Sequence, residues 1–311
     1  MLGLGINTVT DTGWAASSLL NVLAGNFQAR VSADGGEVEN MVCLNKDLID
    51  LTNGSDSLLI DRYASPAAAY SLRKLRRDYL GPAIRVRRDS DSEELDIFFN
   101  SDGSLDTASL ETFCAGTDGY VDTWYDQANG NDATQLTPSY QPKIYDSSTG
   151  VVTENGKPAL EFDGSNDYFT KAFTLTNPVS HFVVAQASNT GEFIIDGYNN
   201  PNRNSLYKSA TDQIRLYNAA GIYQTHIDGT QAVFSSISNG SSSLLAVNGS
   251  SVTGTHGTTS MDGVTIGGPG TLSAGYFLDG TIQEVVLYGS DQSTNRTGIE
   301  TDINDHYNIY T

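Results

Sequence analysis

Gly119-Tyr-Val-Asp-Thr-Trp-Tyr-Asp-Gln-Ala-Asn-Gly-Asn-Asp-Ala-Thr-Gln135 opens the stretch that decides the fold. It continues through Gln141-Pro-Lys-Ile-Tyr145 and Glu154-Asn-Gly-Lys-Pro-Ala-Leu-Glu-Phe-Asp-Gly-Ser-Asn-Asp-Tyr-Phe169. Tyr120–Tyr125 and Ala159–Phe162 read as short strands. Asn129-Gly130, Asn155-Gly156 and Asp163-Gly164 mark turns that need a positive φ.

The same grammar runs to the C-terminus. Strands are expected at His181–Gln186, Glu192–Ile195, Gln213–Tyr217, Ile222–His226, Gln231–Ile237, Ser243–Val247, Val264–Ile266 and Ile282–Tyr288. Asp196-Gly197, Asp228-Gly229, Asn239-Gly240, Asn248-Gly249, Asp262-Gly263 and Asp279-Gly280 fall at or near their ends. Short strands punctuated in this way predict an antiparallel sandwich, with Phe162, Val183, Ile266 and Val286 in the core between its sheets.

Upstream, Ser65-Pro66 has the chemistry of a helix start, with Ala68, Leu72, Leu75 and Tyr79 at helical spacing and Gly81-Pro82 as the stop. Ile84 and Val86 alternate with Arg85 and Arg87 as in a half-buried strand. Asp106 can cap a short helix bearing Leu110, Phe113 and Cys114. Ile299, Ile303 and Tyr307 predict a closing helix packed on the sandwich. Residues 1–62 read as an N-terminal arm, with a short helix over Trp14–Leu23, and residues 63–311 as the domain. The arm docks either on its own domain or into a neighbouring subunit.

Ala69-Tyr-Ser-Leu-Arg-Lys-Leu75, Ile84-Arg-Val-Arg-Arg-Asp-Ser-Asp91 and the opening stretch together resemble the front half of the sandwich in family-54 α-L-arabinofuranosidases. They also resemble bacteriophage virion proteins that carry a laminin-G-like jelly roll. Leu244-Leu-Ala-Val-Asn-Gly249, Val264-Thr-Ile-Gly-Gly268 and Phe277-Leu-Asp-Gly-Thr-Ile-Gln-Glu-Val-Val-Leu-Tyr288 look like the closing strands of such a domain. The resemblance implies an all-β, concanavalin A-like or laminin-G-like antiparallel jelly-roll sandwich with a few short helices.

The net charge of −20 argues against general affinity for nucleic acid or an anionic membrane. No stretch approaches the roughly 20 apolar residues of a membrane span. No basic residue precedes Arg30, so the N-terminus makes a poor signal peptide. Seven of the 17 basic residues lie between Arg73 and Arg88, followed at once by Asp89, Asp91, Glu93 and Glu94, which predicts mutual pairing on a solvated face. Cys43 and Cys114 either pair or remain buried thiols.

A sugar-facing fold without an export signal implies a bacteriophage virion structural protein, a capsid decoration, fibre or tail component. It would be made in the host cytoplasm, homo-oligomeric and partnered by other virion proteins, with host surface polysaccharide as an accessory ligand. The alternatives are a glycoside hydrolase of the α-L-arabinofuranosidase type and a stand-alone lectin. The resembled hydrolases are retaining enzymes with a vicinal cysteine pair followed by a nucleophilic Glu. Here Ile194-Ile195 stand where the pair aligns, and no Glu occurs from Phe193 through Gln283. No catalytic residue is therefore carried over and no enzymatic activity is expected, although Asp196 or Asp212 could in principle substitute.

His181, His226, His256 and His306 show no metal-ligand spacing. Sugar sites need aromatic faces and amide or carboxyl partners for hydroxyls. Tyr198, Asn199, Asn200, Asn202, Arg203, Tyr207 and Tyr276 supply both and form the expected glycan site. Asp163, Asn166 and Asp167 offer three oxygens to a Ca²⁺, which takes 6–8; otherwise they form a side-chain-capped turn.

Overall fold

The computed structural model describes residues 57–198 and 203–311. Its first helix is α1 (Leu59–Arg62). The strands that follow are β1 (Ala68–Ser71), β2 (Ile84–Arg88) and β3 (Glu94–Ile97), and then helix α2 (Thr107–Cys114). The decisive stretch holds β4 (Gly119–Trp124), β5 (Ala133–Thr134), a 3₁₀ turn at Pro138–Tyr140, β6 (Lys143–Asp146), β7 (Gly150–Val151), β8 (Thr153–Glu154), β9 (Lys157–Pro158) and β10 (Leu160–Asp163). Longer strands come next: β11 (Phe169–Leu175), β12 (Val179–Ala187), β13 (Phe193–Asp196), β14 (Ser205–Ala210), β15 (Gln213–Asn218) and β16 (Ala220–Thr225). The last are β17 (Gln231–Ser238), β18 (Ser243–Val247), β19 (Ser250–Gly254), β20 (Met261–Ile266) and β21 (Asp279–Tyr288), ahead of helix α3 (Arg296–Tyr307).

One sheet runs β19–β18–β17–β12–β21, and the far edge of β21 takes β10 along its first half and β1 along its second. The other runs β16–β15–β14–β13–β20–β11–β5. Strand β4 joins them, pairing β5 through Thr123 and Trp124, β6 through Gly119 and Tyr120, and β2 on its other edge. Because β6 also pairs β10, the all-β antiparallel sandwich closes along one side into a near-barrel.

Phe162, Val183 and Ile266 lie in the expected inter-sheet core, with Trp124 and Phe169 at its centre (ring centroids 6.2 Å apart). Val286 is buried, but on the opposite face of its sheet. There Phe182, Val184, Val233 and Tyr288 are covered by Ile299, Ile303 and Tyr307 of α3 and by Leu59 and Ile60 of α1. Each such side chain removed from water contributes about 1.5–3 kcal/mol. The compact unit thus begins at Leu58, and the boundary expected between residues 62 and 63 falls inside it. The helix expected over Trp14–Leu23 lies outside the described residues.

The helix expected after Ser65-Pro66 is instead strand β1. Ser65 has φ +66°, unlike an N-cap, and Ala68–Ser71 pair with Leu287–Glu284. Tertiary pairing outweighs the local signal because Asp126 is organised to receive this strand. Its carboxylate accepts from the N–H groups of Ala69 (2.7 Å), Ala128, Asn129 and Asn131 (2.9 Å each). Gln127 accepts from the Leu75 N–H (2.7 Å) and donates to the Arg73 carbonyl (2.9 Å). The Tyr-Asp-Gln-Ala-Asn-Gly-Asn motif is therefore a structural hub.

The basic run is also less solvated than expected. Arg88 pairs with Asp91 (2.6 Å) and Arg85 with Asp96 (2.8 Å) on the surface, but Arg73 is buried against Glu284 (2.8 Å) and Asp302 (2.9 Å). Arg62 of α1 also meets Asp302, so this ionic cluster ties both helices to β21. Cys114 is a free buried thiol, pushed up to about 11 by burial; Cys43 lies outside the described residues. Among the described residues no helix is long and apolar enough to cross a membrane.

Candidate active site

Where the sandwich closes, strand register places a row of outward side chains side by side. Arg87 lies opposite Tyr120, Tyr120 opposite Lys143, and Lys143 opposite Glu161. Their neighbours in sequence, Val86, Val121, Ile144 and Leu160, point into the core. At the end of β10, Asp163 lies opposite Asp279 at the start of β21. The row, together with Pro138, Ser139 and Asp167, lines a cleft of about 710 Å³.

Several of the lining groups are held from behind. Arg87 Nε donates to Gln141 Oε1 (2.7 Å), Gln141 Nε2 to the Gln135 carbonyl (2.8 Å), and Gln135 Nε2 to the Tyr168 carbonyl (3.2 Å). Arg87 Cζ and Lys143 Nζ stand 5.3 and 5.8 Å from the centroid of the Tyr120 ring. Asp279 Oδ2 accepts from Asn189 Nδ2 (3.0 Å), which is itself fixed by Glu192 (2.8 Å).

Asp167 differs from the other carboxyls in the cleft. It closes the β10–β11 turn, its Oδ2 accepting from the Asp163 N–H (3.1 Å), and is only 6% exposed. Burial, and then the nearby charge of Asp163, push it up to about 7. A carboxyl that keeps its proton near neutrality beside other carboxyls is the arrangement general acid catalysis requires. The turn is tight: Gly164 has φ +74°, and a Cβ there would lie 2.9 Å from that of Asp279.

The structure brings the expected Ca²⁺ ligands into one turn but uses them to build it. Asp163 Oδ1 accepts from the N–H groups of Ser165 (2.8 Å) and Asn166 (3.2 Å). Among the described residues no three or more His, Cys, Asp or Glu converge on a metal position.

Of the expected glycan site, Asn199, Asn200 and Asn202 lie outside the described residues. Tyr198 and Tyr276 are exposed, at 36% and 47%. Tyr207 stacks on Phe193 (4.7 Å, 10°), and its hydroxyl accepts from Arg215 Nη1 (2.7 Å). Arg203 is bound to Asp196 (2.8 Å).

Of the two candidate substitutes for the missing Glu, Asp196 is fully committed to other partners and neither lines the cleft. Asp196 is fully buried and accepts from Gly197 N, Arg203 Nε, Ser205 Oγ, Gly270 N and Arg203 Nη2, leaving no lone pair for a substrate. Asp212 sits at φ +50° in the β14–β15 turn and accepts from Asp228 N (2.9 Å). The four histidines are structural: burial lowers His181 to about 3, and His226, His256 and His306 to about 4.

The family model for the catalytic domain of alpha-L-arabinofuranosidase B matches residues 61–191, less than half of the chain but including Arg87, Tyr120, Lys143, Glu161, Asp163 and Asp167. The chain is similar to an arabinofuranosidase catalytic domain. A family-54 α-L-arabinofuranosidase soaked with a cyclic sulfate inhibitor superposes with TM-score 0.64 at 18% identity. A mutant of such an enzyme soaked with 4-nitrophenyl α-L-arabinofuranoside gives 0.64 at 17%. An arabinofuranosidase complexed with arabinofuranosyl-α-1,2-xylobiose gives 0.60 at 20%. Each match covers 79% of this chain and 64% of the other, and at these identities the likeness is one of fold. No curated protein matches.

These findings correct the functional expectation. The matched family and structures are those of a glycoside hydrolase, which overturns the reading as a bacteriophage virion structural protein without catalytic activity. The fold expectation stands. The cleft row escaped sequence reading because its members come from four separate strands. The one local signal was the alternation of Ile84–Arg88, which sends Arg87 outward.

Proposed function

We propose that the protein is a glycoside hydrolase acting on α-L-arabinofuranosyl groups, with the carboxyl-lined cleft as its active site. The observation that carries this reading is Asp167. It lines the cleft, is pushed up to about 7 by burial and the nearby Asp163 charge, and lies within the segment that matches an arabinofuranosidase catalytic family. In this reading Asp167 is the general acid. It gives its proton to the glycosidic oxygen as the bond to the anomeric carbon breaks, and the leaving alcohol departs neutral. Asp279, on the same face as Asp163 and tethered by Asn189, is the second carboxyl. It acts as nucleophile or as base toward water according to the carboxyl separation. This pair replaces the cysteine-and-Glu signature that the chain lacks.

The test uses the leaving group. Arabinofuranosyl-xylobiose has a poor leaving group that needs the proton, whereas 4-nitrophenol leaves largely without it. Asp167→Asn is expected to lower kcat on arabinofuranosyl-xylobiose by about 10²–10⁴-fold and on the 4-nitrophenyl glycoside by much less. Equal losses on both, or none on either, would remove Asp167 from this role.

A further inference from the structure

Lys208 occupies a position that the pleat assigns to the core. Along β14, Leu206 and Lys208 face inward, while Tyr207 between them packs on the outer surface against Phe193. Lys208 lies opposite Ile214 of β15, itself a core residue, and its side chain is wholly shielded from water. A lysine is almost never fully buried unless it is paired. The side chain reaches the turn between β16 and β17, where Nζ contacts the Asp228 carboxylate and donates to the His226 carbonyl (3.2 Å). The carboxylate is fixed as well. The Asp212 N–H donates to Asp228 Oδ1 (3.1 Å), and Asp212 Oδ1 accepts from the Asp228 N–H (2.9 Å). His226 is 3% exposed, packs edge-on against Phe234 (4.8 Å, 77°), and its Nε2 has no hydrogen-bond partner. Burial, and then the Lys208 charge, hold that imidazole down to about 4, so it is neutral near pH 7. As an ion pair the arrangement is costly, because desolvation of two charges offsets their attraction.

We infer that Lys208 and Asp228 are joined by an isopeptide bond that the folded chain forms on itself, a covalent tie between β14 and the β16–β17 turn. The inference is independent of the hydrolase reading. Holding the two groups in contact turns a bimolecular condensation into an intramolecular one. The Lys208 ammonium first gives a proton to the carboxylate, leaving an amine and a carboxyl, the neutral forms that a dry site favours. The Nζ lone pair attacks Cγ, and the negative charge that builds on Oδ1 is met by the Asp212 N–H. The N–C bond forms and the C–O bond to the other carboxyl oxygen breaks. That oxygen leaves as water, carrying the first proton and a second one from nitrogen, for which the neutral His226 imidazole is the carrier. Both charges disappear, one water is released and no co-reactant is consumed.

Intact mass spectrometry of the purified chain tests this. Wild type is expected to be lighter than its sequence by one water, and Lys208→Met and Asp228→Ala to show their full sequence masses. Trypsin should fail to cut after Lys208, leaving residues 204–215 attached to the peptide that begins at Leu216. Tandem mass spectrometry should place the junction at Lys208 and Asp228. A wild-type chain that is folded by circular dichroism yet has its full sequence mass overturns the proposal. So does a water loss that persists in Lys208→Met and is discharged by hydroxylamine, the mark of a succinimide at Asp228-Gly229. Mass and digest are read on wild type, so the outcome stands even if a variant fails to fold.

Discussion

Two rows of side chains, each setting an Arg beside a Tyr, cross the outer surface of this sandwich. Arg87, Tyr120, Lys143 and Glu161 cross β2–β4–β6–β10; Phe193, Tyr207, Arg215 and Tyr223 cross β13–β14–β15–β16. In the second row the groups consume one another. Phe193 and Tyr207 stack, and the Arg215 guanidinium lies 4.4, 4.9 and 5.8 Å from the rings of Tyr217, Tyr223 and Tyr207. In the first row Arg87 and Lys143 likewise flank the Tyr120 ring, but the strands close toward a barrel there and the side chains border open space. The open space beside the row, where β6 pairs β10, separates the cleft from the stacked surface.

Asp196 and Arg203, at the edge of the stacked row, offer the sharpest way to break this comparison. Removing the charge from one partner of a buried, multiply bonded pair should cost about 3–5 kcal/mol. Asp196→Asn is therefore expected to lower the denaturant midpoint markedly while kcat of the folded fraction holds. A variant with wild-type stability and a hundredfold loss of kcat would move the catalytic centre to Asp196.

A smaller effect should follow from Arg215→Met. Loss of its ring contacts should destabilise by about 1–2 kcal/mol, read as a shift in the same midpoint, without raising KM for the aryl substrate. Arg87→Met, in the open row, should instead raise KM. If the two variants behave alike, the distinction between the rows is wrong.

How much of this could be read from the chain depends on what each feature needs. Strands bounded by Asn-Gly and Asp-Gly are local: Ser243–Val247 forms with the bounds its turns imply, and Asp106 caps α2 through Ser109 (3.0 Å). The segment after Ser65-Pro66 carries helical spacing but becomes a strand, because Asp126, nearly 60 residues away, holds the Ala69 N–H. Val285 and Val286 are buried on opposite faces of β21 because α3 covers the outer one, a layer that an alternating pattern does not reveal. The Tyr- and Asn-rich loop had the composition of a sugar site, but Tyr207 was already paired. The cleft arises from register across four strands and from the burial of Asp167, neither of which is written in any one segment.

The most direct measurement is the pH dependence of kcat/KM on arabinofuranosyl-xylobiose, for wild type and Asp163→Asn. A general acid works while protonated, so activity should be present below about pH 7 and be lost as pH rises through the value to which burial and Asp163 push Asp167. Removing the Asp163 charge should move that basic limb to lower pH, since the repulsion that helps keep the proton on Asp167 is gone. A basic limb near 7 that shifts down in Asp163→Asn is the expected result. Activity that stays flat from pH 5 to about 9, or a limb unmoved by Asp163→Asn, would contradict the assignment of this cleft as the catalytic centre.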